Sequence, residues 1–196
     1  LTEDETYIAV ANGVLDPSQF DDSVNTIGFG IDVFAGALQD SQTAGNVSVL
    51  VHHGATDVPP VNVVNNADQS VLVSDISYTE FDVDGYLDLP EQDYVINVEE
   101  ASNSAPVKSY EANLQGLSLA NDAITVVASG FLDPSLNQNG EAFGLWAALP
   151  AGGALVELPE ATVGTDAFTD NNFNYYPNPV EQRLNISSNG IVEDVQ

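Results

Sequence analysis

Cysteine and methionine are both missing from the 196 residues. Disulfides, thiolate metal sites and cysteine nucleophiles are thereby excluded. A secreted protein without disulfides draws its stability from buried area, so any module should be of ordinary rather than miniature size. Basic residues are nearly missing too: Lys108 and Arg183 stand against 30 Asp and Glu, a formal net charge of −28. Such a surface repels phosphate backbones and anionic lipid, which makes nucleic acid and bare membrane poor partners. It suits solubility, a salty exterior or divalent cations. No run approaches the ~18 apolar residues of a membrane-spanning helix. The opening Leu1-Thr2-Glu3-Asp4-Glu5 has neither the basic start nor the apolar run of a signal peptide. If the protein is exported, its leader is expected upstream.

What is present begins with a hydrophobic fraction of 43%, enough for a core. It continues with a repeat. Glu5 to Ser18 reads ETYIAVANGVLDPS and Asp122 to Ser135 reads DAITVVASGFLDPS, with seven identities in fourteen positions. Asp16 and Asp133 stand 117 residues apart. Phe29-Gly30-Ile31 answers Phe143-Gly144-Leu145 after a small change in loop length, and Gly36-Ala37-Leu38 answers Gly153-Ala154-Leu155. A repeat of this length fits one β-sandwich domain. Residues 1–40 read as the C-terminal strands of a preceding, partial module and residues 45–158 as a complete one. Because the first copy carries only its closing part, the chain is expected to be a fragment, or to begin with strands that complete a neighbour.

Strand signals dominate and helical periodicity is scarce. From Asn46 to His53, Val47, Val49, Val51 and His53 share one face, while Ser48, Leu50 and His52 share the other. Turn chemistry separates such runs at Pro59-Pro60, Asp84-Gly85, Leu89-Pro90, Asp133-Pro134 and Asn139-Gly140. Short strands joined by turns without intervening helices predict an all-β fold, with antiparallel Ig-like or Greek-key β-sandwich modules in tandem. Residues 159–172 are small and polar and read as a linker.

Two resemblances follow from particular residues. Val51-His52-His53-Gly54-Ala55-Thr56-Asp57-Val58-Pro59 is a strand ending in His and then a turn with Asp and Pro. Gly85-Tyr86-Leu87-Asp88-Leu89-Pro90 and Thr125-Val126-Val127-Ala128-Ser129-Gly130 follow it. This pattern resembles the bacterial extracellular family called domain of unknown function 4397, with His53, Asp57, Pro59, Gly85, Tyr86 and Pro90 as the matching positions. Thr56 and Asn62 depart from it, where the family usually has Pro and Asp; any ligand role of that Asp is not carried over to Asn62. The resemblance implies repeated modules on secreted or surface-anchored proteins and no established activity. The second resemblance is carried by Tyr176, Pro177, Asn178 and Pro179, followed by Leu184 and Ile186. This looks like the start, within residues 173–196, of the C-terminal sorting domain of type IX secretion in Bacteroidetes. Two prolines fix an extended entry, and Leu184 and Ile186 begin an alternating strand. The resemblance implies passage across the outer membrane by the type IX machinery, then release or surface attachment.

Chemistry-bearing constellations are few. His52 and His53 are the only histidines, and neighbours on a strand face opposite ways. They cannot chelate one metal together, and His53 is expected to bond backbone at a sandwich corner. No Gly-x-Ser-x-Gly elbow, His-Glu-x-x-His pair or phosphate-binding glycine loop accompanies them. Asp82 and Asp84 invite a Ca²⁺ reading, but Leu87 stands where an EF-hand requires Gly and Asp93 where it requires Glu. A looser Ca²⁺ loop competes with a plain acidic turn. Tyr78, Phe81, Tyr86, Tyr94, Tyr110 and Trp146 could line a sugar platform, though core packing accounts for them and for Trp146 in particular.

These features predict no enzyme, but an acidic, secreted structural protein of the cell surface. A stalk, an adhesin for cell adhesion or an extracellular filament subunit all fit, with self-association or neighbouring modules of the same protein as partners. The alternative is a carbohydrate- or Ca²⁺-binding accessory module of a larger secreted enzyme. A carboxylate-based hydrolase comes last, since 30 acids place some pairs together by chance.

Overall fold

In the computed structural model, residues 2–161 are described throughout, together with the backbone of Asn174–Tyr176 and Asn185–Ser187. Residues Leu1–Ala161 form one compact unit and Thr162–Gln196 a second. The first contains β1 (Tyr7–Asn12), β2 (Gly30–Ala35), β3 (Asn46–His53), β4 (Val61–Asn65), β5 (Val71–Ile76) and β6 (Leu87–Pro90). It continues with β7 (Asp93–Glu100), β8 (Pro106–Asn113), β9 (Ala123–Ser129), β10 (Gly144–Ala148) and β11 (Val156–Glu157). Single 3₁₀ turns at Pro17–Gln19 and Pro134–Leu136 are its only helical pieces among the described residues. No helix there is long and apolar enough to cross a membrane.

The all-β expectation holds. Valine, isoleucine and aromatics at alternate positions favour a pleated, half-buried surface, and β3 to β11 sort into two facing sheets. One runs β11-β10-β9-β3-β6 and the other β5-β4-β7-β8. Val47, Val49 and Val51 of β3 join Ile124 and Val126 of β9 and Leu145 of β10 in one apolar cluster. The opposite sheet adds Val61, Val63, Val73, Tyr94, Ile96 and Val98 to it. Pairing is antiparallel except between β3 and β9, which run parallel from Ser48↔Ala123 to His53↔Ala128. Sequence alternation cannot distinguish a parallel neighbour from an antiparallel one, because both keep the period of two.

β1 and β2 form a separate two-stranded hairpin. It reproduces β9 and β10 residue for residue: Asn12 pairs with Gly30 as Ser129 pairs with Gly144. Beyond each first strand, Asp16 or Asp133 caps the Asp-Pro-Ser turn by accepting the N–H of Ser18 or Ser135. The repeat read from the sequence is therefore a repeat of backbone as well.

The valine face of β3 lies in the core, as the alternation predicts, but Ser48, Leu50 and His52 on its other face are equally buried. The residues that precede β3 meet two of them: Ser48 Oγ accepts the Gln42 N–H at 2.9 Å, and His52 meets Asp32. Leu50 is fully buried outside the main core cluster. Its truncation tests that burial: Leu50→Ala is expected to destabilise residues 1–161 by about 3 kcal/mol in denaturant unfolding. A loss under ~0.5 kcal/mol, as at an exposed site, would show that Leu50 is not buried in solution.

The expected linker starts later than residue 159. Glu111 N–H donates to Pro159 O and Ala161 N–H to Ser109 O, each at 2.8 Å, so residues 159–161 follow the edge of β8. Leu158, buried in the core, brings them there. The rest of that segment, 162–172, lies outside the described residues. In the second unit β12 (Asn174–Tyr176) pairs antiparallel with β13 (Asn185–Ser187), Tyr176 opposite Asn185 and Tyr175 opposite Ile186. Pro177, Asn178, Pro179 and Leu184 of the sorting motif lie outside the described residues.

Candidate functional site

The hairpin meets the five-stranded sheet through polar groups. Asp32 of β2 reaches down to the fully buried His52 of β3, with 2.9 Å between Oδ2 and Nε2. Asn12 of β1 donates its Nδ2 to the same oxygen at 3.0 Å. Phe34 packs against Phe81 and Tyr86, with ring centroids 5.4 and 5.8 Å apart. The Tyr86 hydroxyl accepts the Leu38 N–H at 3.0 Å. No hydroxyl bonds His52 Nδ1. The pairing of Nε2 with this carboxylate makes the buried imidazole a clamp for the hairpin.

A second node fastens the turns. Asp57, buried, accepts the N–H groups of Leu132 and Asp133 at 2.8 and 2.9 Å and the Nδ2 of Asn137 at 3.1 Å. Asn137 has no exposed surface; its Oδ1 accepts the Asp21 N–H at 3.0 Å. Asn25 in the first copy donates to the carbonyls of both Thr56 and Val58. The two Asp-Pro-Ser loops are thus tied to each other and to the turn after β3, and Phe20 stacks on Phe131 at 5.7 Å.

The family-pattern residues have mechanical roles around this frame. His53 bonds the Pro59 carbonyl at 3.2 Å, as expected of a corner histidine. Gly85 turns at φ +79°, and the Pro90 carbonyl accepts the Tyr94 hydroxyl. Asn62, at a position where Asp was expected, accepts the Asp75 N–H at the irregular β4–β5 pairing through Oδ1. A carboxylate oxygen would do the same.

Burial pushes both imidazoles below their ordinary 6.5; for His52 the Asp32 carboxylate pulls the other way, and for His53 the Pro59 carbonyl does. In the unfolded chain the histidines take up protons first as pH falls. The stability conferred by keeping them neutral is therefore complete above pH 6.5 and is lost progressively below it, down through the folded-state values. The slope reaches at most about 1.4 kcal/mol per pH unit for each histidine. Denaturant unfolding at pH 7.5 and 5 should show a lower stability at pH 5. A profile flat across that window would mean that the imidazoles are not buried neutral.

Asp82 and Asp84 adjoin as the sequence places them, but Asp82 Oδ1 accepts the Asp84 N–H at 3.2 Å and closes an acidic turn. Burial raises the Asp82 carboxyl above the usual range. Among the described residues no three His, Cys, Asp or Glu side chains converge as metal ligands.

The aromatics do not form a platform. Tyr78, Tyr94 and Tyr110 are buried, and burial raises all three phenols. Trp146 overturns the core expectation: it lies on the outer face of β10, half-buried, because the alternation of that strand gives the core to Leu145 and Ala147. Its indole lines a groove of about 850 Å³ between that outer face and β1. Thr125, Val127 and Ser129 form the floor beside it. Sequence reasoning missed this groove, since only the position of the hairpin creates it. No family model, no curated protein and no solved structure matches the chain.

Proposed function

We propose that the chain is a stretch of a secreted, non-enzymatic structural protein of the cell surface, a stalk, adhesin or filament subunit exported by type IX secretion. The observation that carries this reading is the duplicated hairpin. One copy closes a complete sandwich and the other is clamped on the outside of it, as the end of one module resting on the next. The polar groups described above are spent on fastening loops, with His52, Asp57 and Asn137 each engaged by backbone or side-chain partners. The net charge of −28 suits an exposed, soluble surface, and the Tyr-Pro-Asn-Pro segment supports export.

Electron microscopy of the native protein sheared from cells, with its subunit mass measured in parallel, tests the proposal. Ordered fibres or stalks with a spacing of one or two module lengths are expected. Soluble monomers carrying an upstream catalytic domain would overturn it in favour of an accessory module.

A further inference from the structure

The gap between the two sheets of the sandwich is not filled evenly. Valine and alanine supply most of the side chains that β3, β4, β7, β9 and β10 send into it. Both are short for the ~10 Å between stacked sheets. The large Tyr110 and Phe143 pack on each other instead, with ring centroids 6.2 Å apart. A cavity of about 220 Å³ results, lined by residues between Val49 and Pro159. It lies wholly within the complete module and uses no residue of the hairpin.

The lining has a direction. Val49, Val51 and His53 follow one another along the core face of β3, paired with Ile124, Val126 and Ala128 of β9. Four strand rises separate Val49 from His53 by ~13 Å, a span that suits an extended chain better than a ring. The lining reaches the surface at Glu111, Leu117, Glu157 and Pro159. His53 is the polar residue of the β3 core face and is fully buried. Its Nε2 bonds the Pro59 carbonyl at 3.2 Å. A carbonyl only accepts, so Nε2 carries the proton, and the neutral ring keeps Nδ1 as an acceptor. No group among the described residues bonds that Nδ1. A buried acceptor without a donor is costly, and a donor carried by a bound molecule removes the cost.

We infer that the space between the sheets binds an unbranched aliphatic alcohol, its chain lying between the valine faces and its hydroxyl donating to His53 Nδ1. Volume sets the size. Benzene fits an apolar cavity of ~150 Å³, so about 220 Å³ holds about nine non-hydrogen atoms, a chain of roughly eight carbons and its oxygen. Charge selects the head group. A carboxylate would enter past Glu111 and Glu157 on a chain of net charge −28. Beside a neutral imidazole it would also be a buried ion without a partner. Lys108 does not offset this, since Glu160 engages its Nζ at 3.1 Å. An uncharged hydroxyl meets neither obstacle. The site goes beyond the structural reading proposed above and is independent of it.

Octan-1-ol is the probe, titrated into the 196-residue chain at pH 7.5 and followed by NMR. Saturable binding should give intermolecular NOEs from its methylenes to the methyls of Val51 and Val126, and should shift the Nδ1 resonance of His53. The His52 ring lies against Asp32 and Phe81 on the other face of β3. Its Nδ1 resonance should stay in place and serves as the internal reference. Heptyl methyl ether has the same atoms but no donor, and should bind about fivefold more weakly without moving His53. Octanoate should bind roughly tenfold more weakly or worse. Ala147→Leu puts a larger side chain into the lining and should lower octanol affinity by about tenfold or more. If that variant fails to fold, the ether and octanoate comparisons on the unaltered chain decide. Absence of saturable octanol binding overturns the inference. So does equal binding of alcohol and ether, octanoate binding as tightly as octanol, or a shift of both histidines together.

Discussion

Asp57→Ala is expected to lower the stability of residues 1–161 by about 3–5 kcal/mol, with an unchanged denaturant slope. The carboxylate is 8% exposed and accepts from Leu132 N, Asp133 N and Asn137 Nδ2. Alanine leaves all three donors facing a void that water reaches poorly, and an unsatisfied buried donor costs about 1–3 kcal/mol. Asp57→Asn retains one acceptor oxygen but sets an NH₂ against the donating amide of Asn137. It should recover less than half of the loss. Asn137→Ala and Asp57→Ala share this bond, so their effects should add to less than their sum. A loss below 1 kcal/mol for Asp57→Ala would mean that the Asp-Pro-Ser loop is held by something other than this carboxylate.

Much of this frame was legible in the sequence, for reasons that differ between residues. The strands announce themselves because β3 and β9 alternate or run apolar over their whole length, and periodicity survives whichever sheet a strand joins. The repeated Asp-Pro-Ser was legible because a capping Asp, a proline at the first turn position and a hydroxyl two residues on form a local motif needing no distant partner. Asp57 stood out only through the family resemblance. Its three partners lie 75 to 80 residues away in the chain. The Asp32–His52 clamp was not legible at all: Asp32 is one acid among 30, and nothing local marks the one that a hairpin carries onto a buried imidazole. The outward turn of Trp146 was within reach. β10 reads Gly-Leu-Trp-Ala-Ala, and strict alternation from Leu145 places the indole on the far side; an apolar run rich in aromatics disguised it as core.

The position of the hairpin also explains why the His52 end of the outer face of β3 is not a surface. A sheet with one face on a core and one in water alternates apolar and polar residues. β3 instead carries Leu50 and His52 among its outward residues, both fully buried. A strand built to be covered on both sides fits a neighbour that always arrives, and the clamp on His52 is how the hairpin is held there. Asp32→Ala should loosen the hairpin first, exposing β1 and β2 to hydrogen exchange while the sandwich stays protected.

The sharpest contrast between the two copies is expected at their shared glycine. Gly130 sits at φ +85°, and a Cβ there would lie 2.3 Å from the Ala142 carbonyl oxygen. Gly13, its counterpart, sits at φ +81° with a Cβ position 2.5 Å from the Gly28 carbonyl oxygen. Backbone, not a flexible side chain, blocks both positions, so alanine forces the paired strands apart besides occupying an unfavourable conformation. At Gly130 the separation breaks the bonds from Phe131 N to Glu141 O and from Phe143 N to Phe131 O. It also pulls on Phe143 and Leu145 in the core. Gly130→Ala should therefore cost roughly 4 kcal/mol or more in global unfolding. Gly13→Ala meets the same clash in a hairpin held mainly by its clamp, and the damage should stay local. Exchange protection of residues 7–12 and 30–35 falls while the midpoint of the sandwich moves little. Gly36 provides the calibration: it has φ +78° with nothing within 4 Å, so alanine there adds only the backbone strain, about 1 kcal/mol. If Gly13→Ala and Gly130→Ala lower the global midpoint equally, the hairpin is part of one cooperative core rather than the end of a module resting on the next.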